Sequence, residues 1–191
     1  MDQSNGWEAV AQELIAGRER SQIGVGVLRT WMRQLPPGGS VLDVGCGSGV
    51  PVSQTLMSEG FVVSGVDASP TLVAAFRQRF PHAAVACEPA ERSPFFDKRF
   101  DAAVAIGLLF LLDPDAQRTV IHRVAAALKP GGRFLFTSPA QRCTWRDLMT
   151  QRESVSLGAD AYTALLREAG LTVSANYTDE GDNYYYDALK T

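Results

Sequence analysis

The stretch Val41-Leu42-Asp43-Val44-Gly45-Cys46-Gly47-Ser48-Gly49 decides the fold of this 191-residue chain. Residues 40–44 form a short apolar run with one acid, after a Pro-Pro-Gly-Gly loop, which predicts a buried parallel strand. Three glycines at alternate positions follow, and Pro51 stands where a helix would begin. A strand, a glycine loop and a helix N-terminus in this order are typical of sites for nucleotide-like ligands in doubly wound sheets.

The glycine spacing argues against two common phosphate-binding loops. A dinucleotide loop has the pattern G-x-G-x-x-G, and Val50 occupies the place of its third glycine when the count starts at Gly45. A Walker loop would close with Gly-Lys-Ser/Thr, and this sequence has no such ending. What remains is an acid two residues before a G-x-G-x-G loop.

Size and composition predict one soluble globular domain over residues 1–191. Hydrophobic residues make up 46% of the chain and charged residues 20%, which is ordinary for a soluble protein. The net charge of −3 argues against a large nucleic-acid interface. No long apolar run predicts a membrane span, and the first residues do not resemble a signal peptide.

The cysteines and the acidic residues suggest neither a disulfide framework nor a metal site. Cys46, Cys87 and Cys143 are odd in number, widely spaced and form no C-x-x-C pair. We therefore expect reduced thiols, a cytoplasmic location and no bound metal.

Two amphipathic helices are predicted before the glycine loop, in a helical cap over residues 1–37. Apolar residues from Trp7 to Ile15 fall at helical spacing, and those from Val27 to Leu35 make a second stripe. One interpretation is that these helices only cover a face of the sheet. The other is that they close over ligands, in which case Trp7, Arg18 or Arg20 would contact them.

A second strand is predicted over residues 61–66, and it ends in Asp67. Asp67 lies twenty residues beyond Gly47, and an acid at this spacing commonly accepts two hydrogen bonds from a ribose diol. Ser69 and Pro70 then predict an N-cap and the first residue of a helix. The alternative is that Asp67 is only a turn residue at the strand end.

From these residues outward, the chain resembles the class I S-adenosylmethionine-dependent methyltransferases. The resemblance rests on residues 41–49, on Asp67, on the Phe100-Asp101 step before an apolar strand and on Leu-Lys-Pro-Gly-Gly-Arg at residues 128–133. It covers about residues 38–138. It implies an α/β, Rossmann-like, seven-stranded, mostly parallel sheet whose last strand is antiparallel, sandwiched by helices.

The resemblance also implies a division of the domain and a cofactor site. A cofactor-binding core would occupy residues 38–139, and the substrate-side part residues 140–191. The implied cofactor is S-adenosylmethionine, with Asp43 facing its sulfonium. The residues implied for the cofactor are Asp43, Gly45, Cys46, Gly47, Gly49, Asp67, Ala68, Ala90, Glu91, Ile106 and Gly107. Pro89 stands where the family has an acid for the adenine amino group, so Glu88, Glu91 or a backbone carbonyl is its expected partner.

The acceptor side is less defined by the sequence. Residues 107–110 are apolar and lack the Asn/Asp-Pro-Pro-Tyr/Phe sequence of many amino-methyltransferases, which favours a small, partly hydrophobic acceptor. No Cys–His or Ser–His set points to a catalytic base. Candidate substrate residues, which could equally be ordinary cap, insertion and turn residues, are Trp7, Arg18, Trp145, Arg146, Asp179, Glu180, Asn183 and Tyr184.

The prediction is a methyltransferase acting on a small molecule, without nucleic-acid or membrane partners, as a monomer or a homodimer. Two alternatives from other classes remain. One is a nicotinamide-dependent oxidoreductase, and the other is a non-catalytic S-adenosylmethionine-binding module. Within the family, a protein or RNA acceptor is the alternative to a small molecule.

Overall fold

A computed structural model describes residues 3–191 of the chain. Within that range the strands are β1 Ser40–Val44, β2 Val62–Asp67, β3 Ala84–Cys87, β4 Phe100–Ala105, β5 Leu128–Thr137, β6 Cys143–Arg146, β7 Glu153–Ser156, β8 Leu171–Thr178 and β9 Tyr184–Lys190. The α-helices are α1 Ala11–Arg18, α2 Val25–Met32, α3 Val52–Ser58, α4 Pro70–Arg79, α5 Pro114–Ala127 and α6 Ala159–Glu168. Short 3₁₀ helices span Trp7–Val10, Phe95–Asp97 and Leu109–Leu111.

The sheet confirms the predicted fold class. Its strand order is β3-β2-β1-β4-β5-β9-β8, and the first five of these strands run parallel. β9 lies between β5 and β8 and is antiparallel to both. β8 therefore runs in the direction of β1 to β5, and the turn after it reaches the edge of the sheet where those strands end.

Two apolar layers cover the two faces of the sheet, and strand alternation sorts residues between them. Leu42 and Phe134 pack with α5 and α6 on one face. Val41 and Leu135, which are their chain neighbours, pack with α2 and α3 on the other. Because both faces are covered, the central strands are apolar throughout, as expected for parallel strands.

The helix start predicted at Ser69 and Pro70 is confirmed, and α5 begins in the same way. Ser69 caps α4 by accepting a hydrogen bond from Leu72 N, and Pro70 is the first helical residue. Asp113 caps α5 by accepting from Asp115 N and Ala116 N. These side chains satisfy backbone N–H groups that have no partner within the helix.

The structure corrects one predicted element and defines two others. The first predicted helix is a 3₁₀ turn over Trp7–Val10 followed by α1, in which only Ala11 is buried, because much of its apolar side lines a cavity. β5 begins at Leu128, because Leu128 pairs with Phe100 across a register shift. The insertion after residue 139 is a hairpin of β6 and β7.

Candidate functional site

A cavity lies where the parallel strands end, and it encloses about 1060 Å³, part of which is open to solvent. The segments that follow β1, β2, β3 and β4 contribute to its walls, since the carboxyl ends of parallel strands meet at one edge of a sheet. The N-terminal segment forms the remaining wall. The residues that line the cavity include Asn5, Trp7, Leu14, Arg18, Asp43, Gly45, Cys46, Gly47, Pro51, Val52, Asp67, Ala68, Pro89, Ala90, Glu91, Ile106, Gly107, Leu108, Leu111 and Leu112.

The glycine loop bends between β1 and α3 and is held against the end of β2. Gly45 N and Cys46 N both donate to Val66 O, at 2.8 and 3.1 Å. Gly47 has a φ of 54°, and a Cβ built on it meets no atom within 4 Å, so its backbone borders open space. Gly49 has a φ of 84° and faces the other way, toward the ring of Phe80. The loop therefore presents bare backbone to the cavity.

Asp67 ends β2 and organises the backbone around it. Its Oδ2 accepts a hydrogen bond from Gly47 N and its Oδ1 accepts one from Ser69 N, both at 2.9 Å. Burial raises the pKa of this carboxyl, while the two backbone donors oppose the rise. Each carboxylate oxygen keeps accepting capacity, so the group can also accept two hydroxyl donors from a ligand in the cavity.

Asp43 lies at the end of β1, 2% exposed, and accepts a hydrogen bond from Ser53 Oγ at 2.6 Å. Burial raises the pKa of Asp43 to about 7, and the nearby charge of Asp67 adds to the rise. Burial and the same two carboxylates also raise the pKa of the Cys46 thiol. A cation bound beside Asp43 would offset the cost of burying its negative charge.

The loop after β3 forms a further wall of the cavity. It also distinguishes Glu91 from Glu88, the two acids that the sequence left as alternatives for the adenine amino group. Ala90 and Glu91 line the cavity together with Pro89. Glu88 instead accepts a hydrogen bond from Ser93 Oγ at 2.6 Å and is not among the lining residues. Glu91 is thus the acidic side chain available to a ligand on this wall.

The N-terminal segment crosses the cavity and is tied down on both sides. Glu8 accepts hydrogen bonds from Ser69 Oγ, Thr71 N and Thr71 Oγ1, next to the start of α4. Asn5 donates its side-chain amide to Leu111 O on the opposite wall. Between these ties Trp7 faces the cavity. The two interpretations of the cap thus apply to different parts of it, since the segment before α2 borders the cavity and α2 covers a face of the sheet.

The wall that follows β4 is apolar. Ile106, Leu108, Leu111 and Leu112 line it, and Gly107 N donates to Thr137 Oγ1 at 2.7 Å. The sequence had indicated an apolar loop here but not that the leucines beyond residue 110 reach the cavity. Leu14, Pro51 and Val52 also line it and were missed, because their apolar side chains carry the same pattern as core residues.

The structure places some predicted residues together and others apart. Of the residues predicted for a cofactor, all except Gly49 line the cavity. Of those predicted for a substrate, Trp7 and Arg18 line it. Trp145, Asp179, Asn183 and Tyr184 do not.

These outlying candidates have structural partners of their own. Asp179 accepts hydrogen bonds from Tyr185 Oη at 2.7 Å and from Asn183 Nδ2 at 3.0 Å, which closes the β8–β9 turn. Trp145 packs on Phe110 with ring centroids 5.4 Å apart. Tyr184 packs edge-on against the ring of Tyr186 in the core.

Residues 3–191 contain neither a candidate metal centre nor a candidate membrane-spanning helix. No group of three or more His, Cys, Asp or Glu side chains could hold a metal ion. No helix in the described part of the chain is long and apolar enough to cross a membrane.

Comparison with known proteins points in one direction. A family model described as a methyltransferase domain matches residues 41–132. An uncharacterized methyltransferase, sll0829 of Synechocystis sp., is 32% identical over 111 residues, or 58% of this chain and 52% of that protein. O-methyltransferase resE of Aspergillus sclerotiorum is 29% identical over 161 residues, or 76% of this chain and 59% of that protein. The chain thus spans between half and two thirds of the length of these relatives.

A solved structure with low sequence identity shows the same fold. The 1,6-didemethyltoxoflavin-N1-methyltransferase of Burkholderia thailandensis has a TM-score of 0.72 at 23% identity, over 100% of this chain and 92% of that chain. That structure holds 1,6-didemethyltoxoflavin and S-adenosylhomocysteine.

Proposed function

We propose that the chain, which belongs to the class I S-adenosylmethionine-dependent methyltransferase family, transfers a methyl group from that cofactor to a small-molecule acceptor. One observation carries the proposal. The bare glycine loop, the Asp67 carboxylate and the apolar wall after β4 border a single cavity, so a donor nucleoside and an acceptor can meet there.

The residues of the cavity fit this cofactor. S-adenosylmethionine, when bound, supplies a methyl group on a positively charged sulfur. Asp67 would accept from the ribose diol, and Asp43 would face the positive charge. Ala90 and Glu91 would border the base. The glycine loop would carry the amino-acid part against its exposed backbone.

A small acceptor is favoured over a protein or an RNA. Trp7 lines the same cavity as the apolar wall of Leu108, Leu111 and Leu112, so an acceptor would enter a concave space of limited size. The net charge of −3 gives no general attraction to nucleic acid. The names of resE and of the toxoflavin enzyme, which concern small molecules or O-methylation, support the same class.

Calorimetric titration with S-adenosylhomocysteine tests the binding part of the proposal. We expect saturable heat and a higher melting temperature with this ligand, and no rise with NAD. A higher melting temperature with NAD and not with S-adenosylhomocysteine would favour the oxidoreductase alternative. An absence of binding by S-adenosylhomocysteine and S-adenosylmethionine would refute the proposal.

The variant Asp67→Asn tests whether the Asp67 carboxylate contributes to cofactor binding. The asparagine amide nitrogen cannot accept the hydrogen bonds that a carboxylate oxygen accepts, so we expect about tenfold weaker S-adenosylhomocysteine binding. Asp97→Asn makes the same chemical change at an exposed residue outside the cavity and serves as the matched control. Equal affinity in the two variants would contradict the role of Asp67.

Methyl incorporation separates an enzyme from a non-catalytic module. Labelled S-adenosylmethionine is incubated with the protein and a panel of small phenols, acids and amines. We expect label in at least one acceptor, and none when S-adenosylhomocysteine is added in excess. Tight cofactor binding without transfer to any acceptor would favour the binding-module alternative.

A further inference from the structure

Arg18, the last residue of α1, brings a positively charged side chain without an ion-pair partner among residues 3–191 to the cavity. It lines the cavity, and its guanidinium Nη2 is 4.0 Å from the position of a Cβ built on Gly107. Its guanidinium makes no hydrogen bond and no ion pair with any residue of the described chain, although the Arg18 carbonyl accepts from Ser21 N. A half-buried arginine usually has such a partner, since its desolvation otherwise goes uncompensated.

The acids on the side of the β8–β9 turn are already engaged. The positive charge of Arg18 acts electrostatically on Tyr185, but the Tyr185 hydroxyl donates its hydrogen bond to Asp179. Asp179 also accepts hydrogen bonds from Gly181 N and Asn183 N. Glu180 accepts a hydrogen bond from Gly24 N at 3.2 Å. The guanidinium of Arg18 is therefore available to a ligand.

The acids of the cavity belong to its other walls. Asp43 is bonded to Ser53, Asp67 holds the glycine loop, and Glu91 lies after β3. The wall after β4 carries leucines and no titratable side chain. The Arg18 guanidinium has donors and no acceptor, so it cannot take a proton from a methyl acceptor. The lining residues that follow β4, which lie within residues 106–112, thus include no side chain that could act as a general base.

We infer that the acceptor is an anionic small molecule, an ionised phenol, enol or carboxylic acid, whose negative charge pairs with Arg18 at the apolar wall after β4. This inference rests on the proposed function and names its substrate class. An acceptor that arrives ionised needs no base, which agrees with the residues present. The guanidinium favours the ionised form of a weakly acidic acceptor in surroundings that otherwise disfavour a charge.

The transfer step then balances without a proton. The anion's electron pair forms a bond to the methyl carbon while the carbon–sulfur bond breaks, and sulfur keeps that bond's electron pair. A sulfonium and an anion become a neutral thioether and a neutral methyl ether, enol ether or ester. No proton is released at transfer, and the product no longer carries the charge that Arg18 holds, which favours its release.

Matched probe pairs test the charge preference directly. Protein saturated with S-adenosylhomocysteine is titrated with benzoate against benzamide, and with para-nitrophenolate against para-nitroaniline, followed by ligand-observed NMR. We expect the anion of each pair to bind about tenfold or more tightly than its neutral analogue. Equal affinities within the pairs, or no binding of either anion, would overturn the inference.

Three variants assign the preference to one side chain. Arg18→Gln should abolish the preference and Arg18→Lys should keep part of it, because lysine retains the charge but not the planar pair of donors. Arg20→Gln, an equal change at an exposed residue outside the cavity, should leave it intact. An unchanged preference in Arg18→Gln would overturn the inference.

Titration with S-adenosylhomocysteine alone distinguishes failure of the inference from failure of the proposed function. We expect Arg18→Gln to bind it as tightly as the unchanged chain. A loss of about tenfold or more would mean that Arg18 holds the cofactor's carboxylate, and would overturn the acceptor role while leaving the methyltransferase proposal standing. Absence of binding in the unchanged chain would instead refute the proposed function.

Discussion

Asp43 is a carboxyl that the fold keeps from solvent, and its titration makes the stability of the chain depend on pH. It is bonded to Ser53 and lies near Asp67, and burial raises its pKa from 3.8 to about 7. The folded chain therefore holds a proton that the unfolded chain releases between these two values. It follows that the contribution of Asp43 to stability is greatest below pH 4, falls as the pH rises to about 7 and then stays lost.

Asp43→Asn removes this titration while its amide oxygen can still accept from Ser53. We expect the free energy of unfolding of the variant, relative to the unchanged chain, to rise from pH 5 to pH 8 by up to about 1.4 kcal/mol per pH unit. Urea unfolding across that range measures it. A flat difference for Asp43→Asn across that range would contradict the raised pKa of its carboxyl.

Two glycines of one loop should respond differently to alanine. A Cβ on Gly49, whose φ is 84°, would clash with Phe80 Cε2 and lie 2.9 Å from Phe76 Cδ2. We expect Gly49→Ala to cost about 2–4 kcal/mol of stability, from overpacking and from the left-handed backbone. Denaturant unfolding provides the measurement.

Gly47→Ala is the matched comparison, because its Cβ would meet no protein atom within 4 Å. Only the backbone term applies, about 1–2 kcal/mol, but the methyl group would stand in the cavity. We expect the folded variant to bind S-adenosylhomocysteine at least about tenfold more weakly. Unaltered affinity would show that the ligand does not lie against Gly47.

At the scale of elements, one buried carboxylate joins α2 to three strands. Asp187 of β9 is 0% exposed and accepts hydrogen bonds from Arg133 of β5, Trp31 of α2 and Tyr177 of β8. Arg133 Nη2 is 2.6 Å from Asp187 Oδ2, and its side chain is only 12% exposed. The network thus anchors the second N-terminal helix to the antiparallel part of the sheet.

Asp187→Ala should cost about 3–5 kcal/mol, because it leaves the Arg133 guanidinium buried without its counter-charge. Glu59→Ala breaks the exposed ion pair with Arg29 and should cost less than about 1 kcal/mol. Chemical denaturation of both variants measures the contrast. Similar losses in the two would mean that the buried network contributes no more than a surface pair.

At the scale of the whole molecule, the N-terminal segment depends on what fills the cavity. In α1 only Ala11 is buried, whereas Trp7, Leu14 and Arg18 face the cavity. The central strands, in contrast, are buried on both faces. We therefore expect local opening of residues 3–20 at a much lower free energy than that of β1, β4 and β5.

Hydrogen exchange with and without S-adenosylhomocysteine tests this difference. Peptides from residues 3–20 should exchange fast in the free chain and slow down when the ligand is bound, while peptides from β4 and β5 should change little. Exchange of residues 3–20 that is slow in the free chain, or unchanged by the ligand, would contradict the proposed closure.

The sequence by itself determined the features that depend on near neighbours in the chain. The family resemblance implied the mostly parallel sheet, whereas the glycine loop, the strand that ends in Asp67 and the cap at Ser69 follow from local residue patterns. They could be predicted because turn chemistry, capping and strand alternation act over a few residues.

Only the tertiary structure decided which distant residues meet. It places β9 between β5 and β8, brings Arg18 to Gly107, and turns Asp179 toward Tyr185 instead of the cavity. It also sets the pKa of Asp43, since the burial responsible comes from several elements together. These outcomes depend on packing between segments far apart in the chain. A local sequence pattern does not specify which of many possible side chains fills a given space.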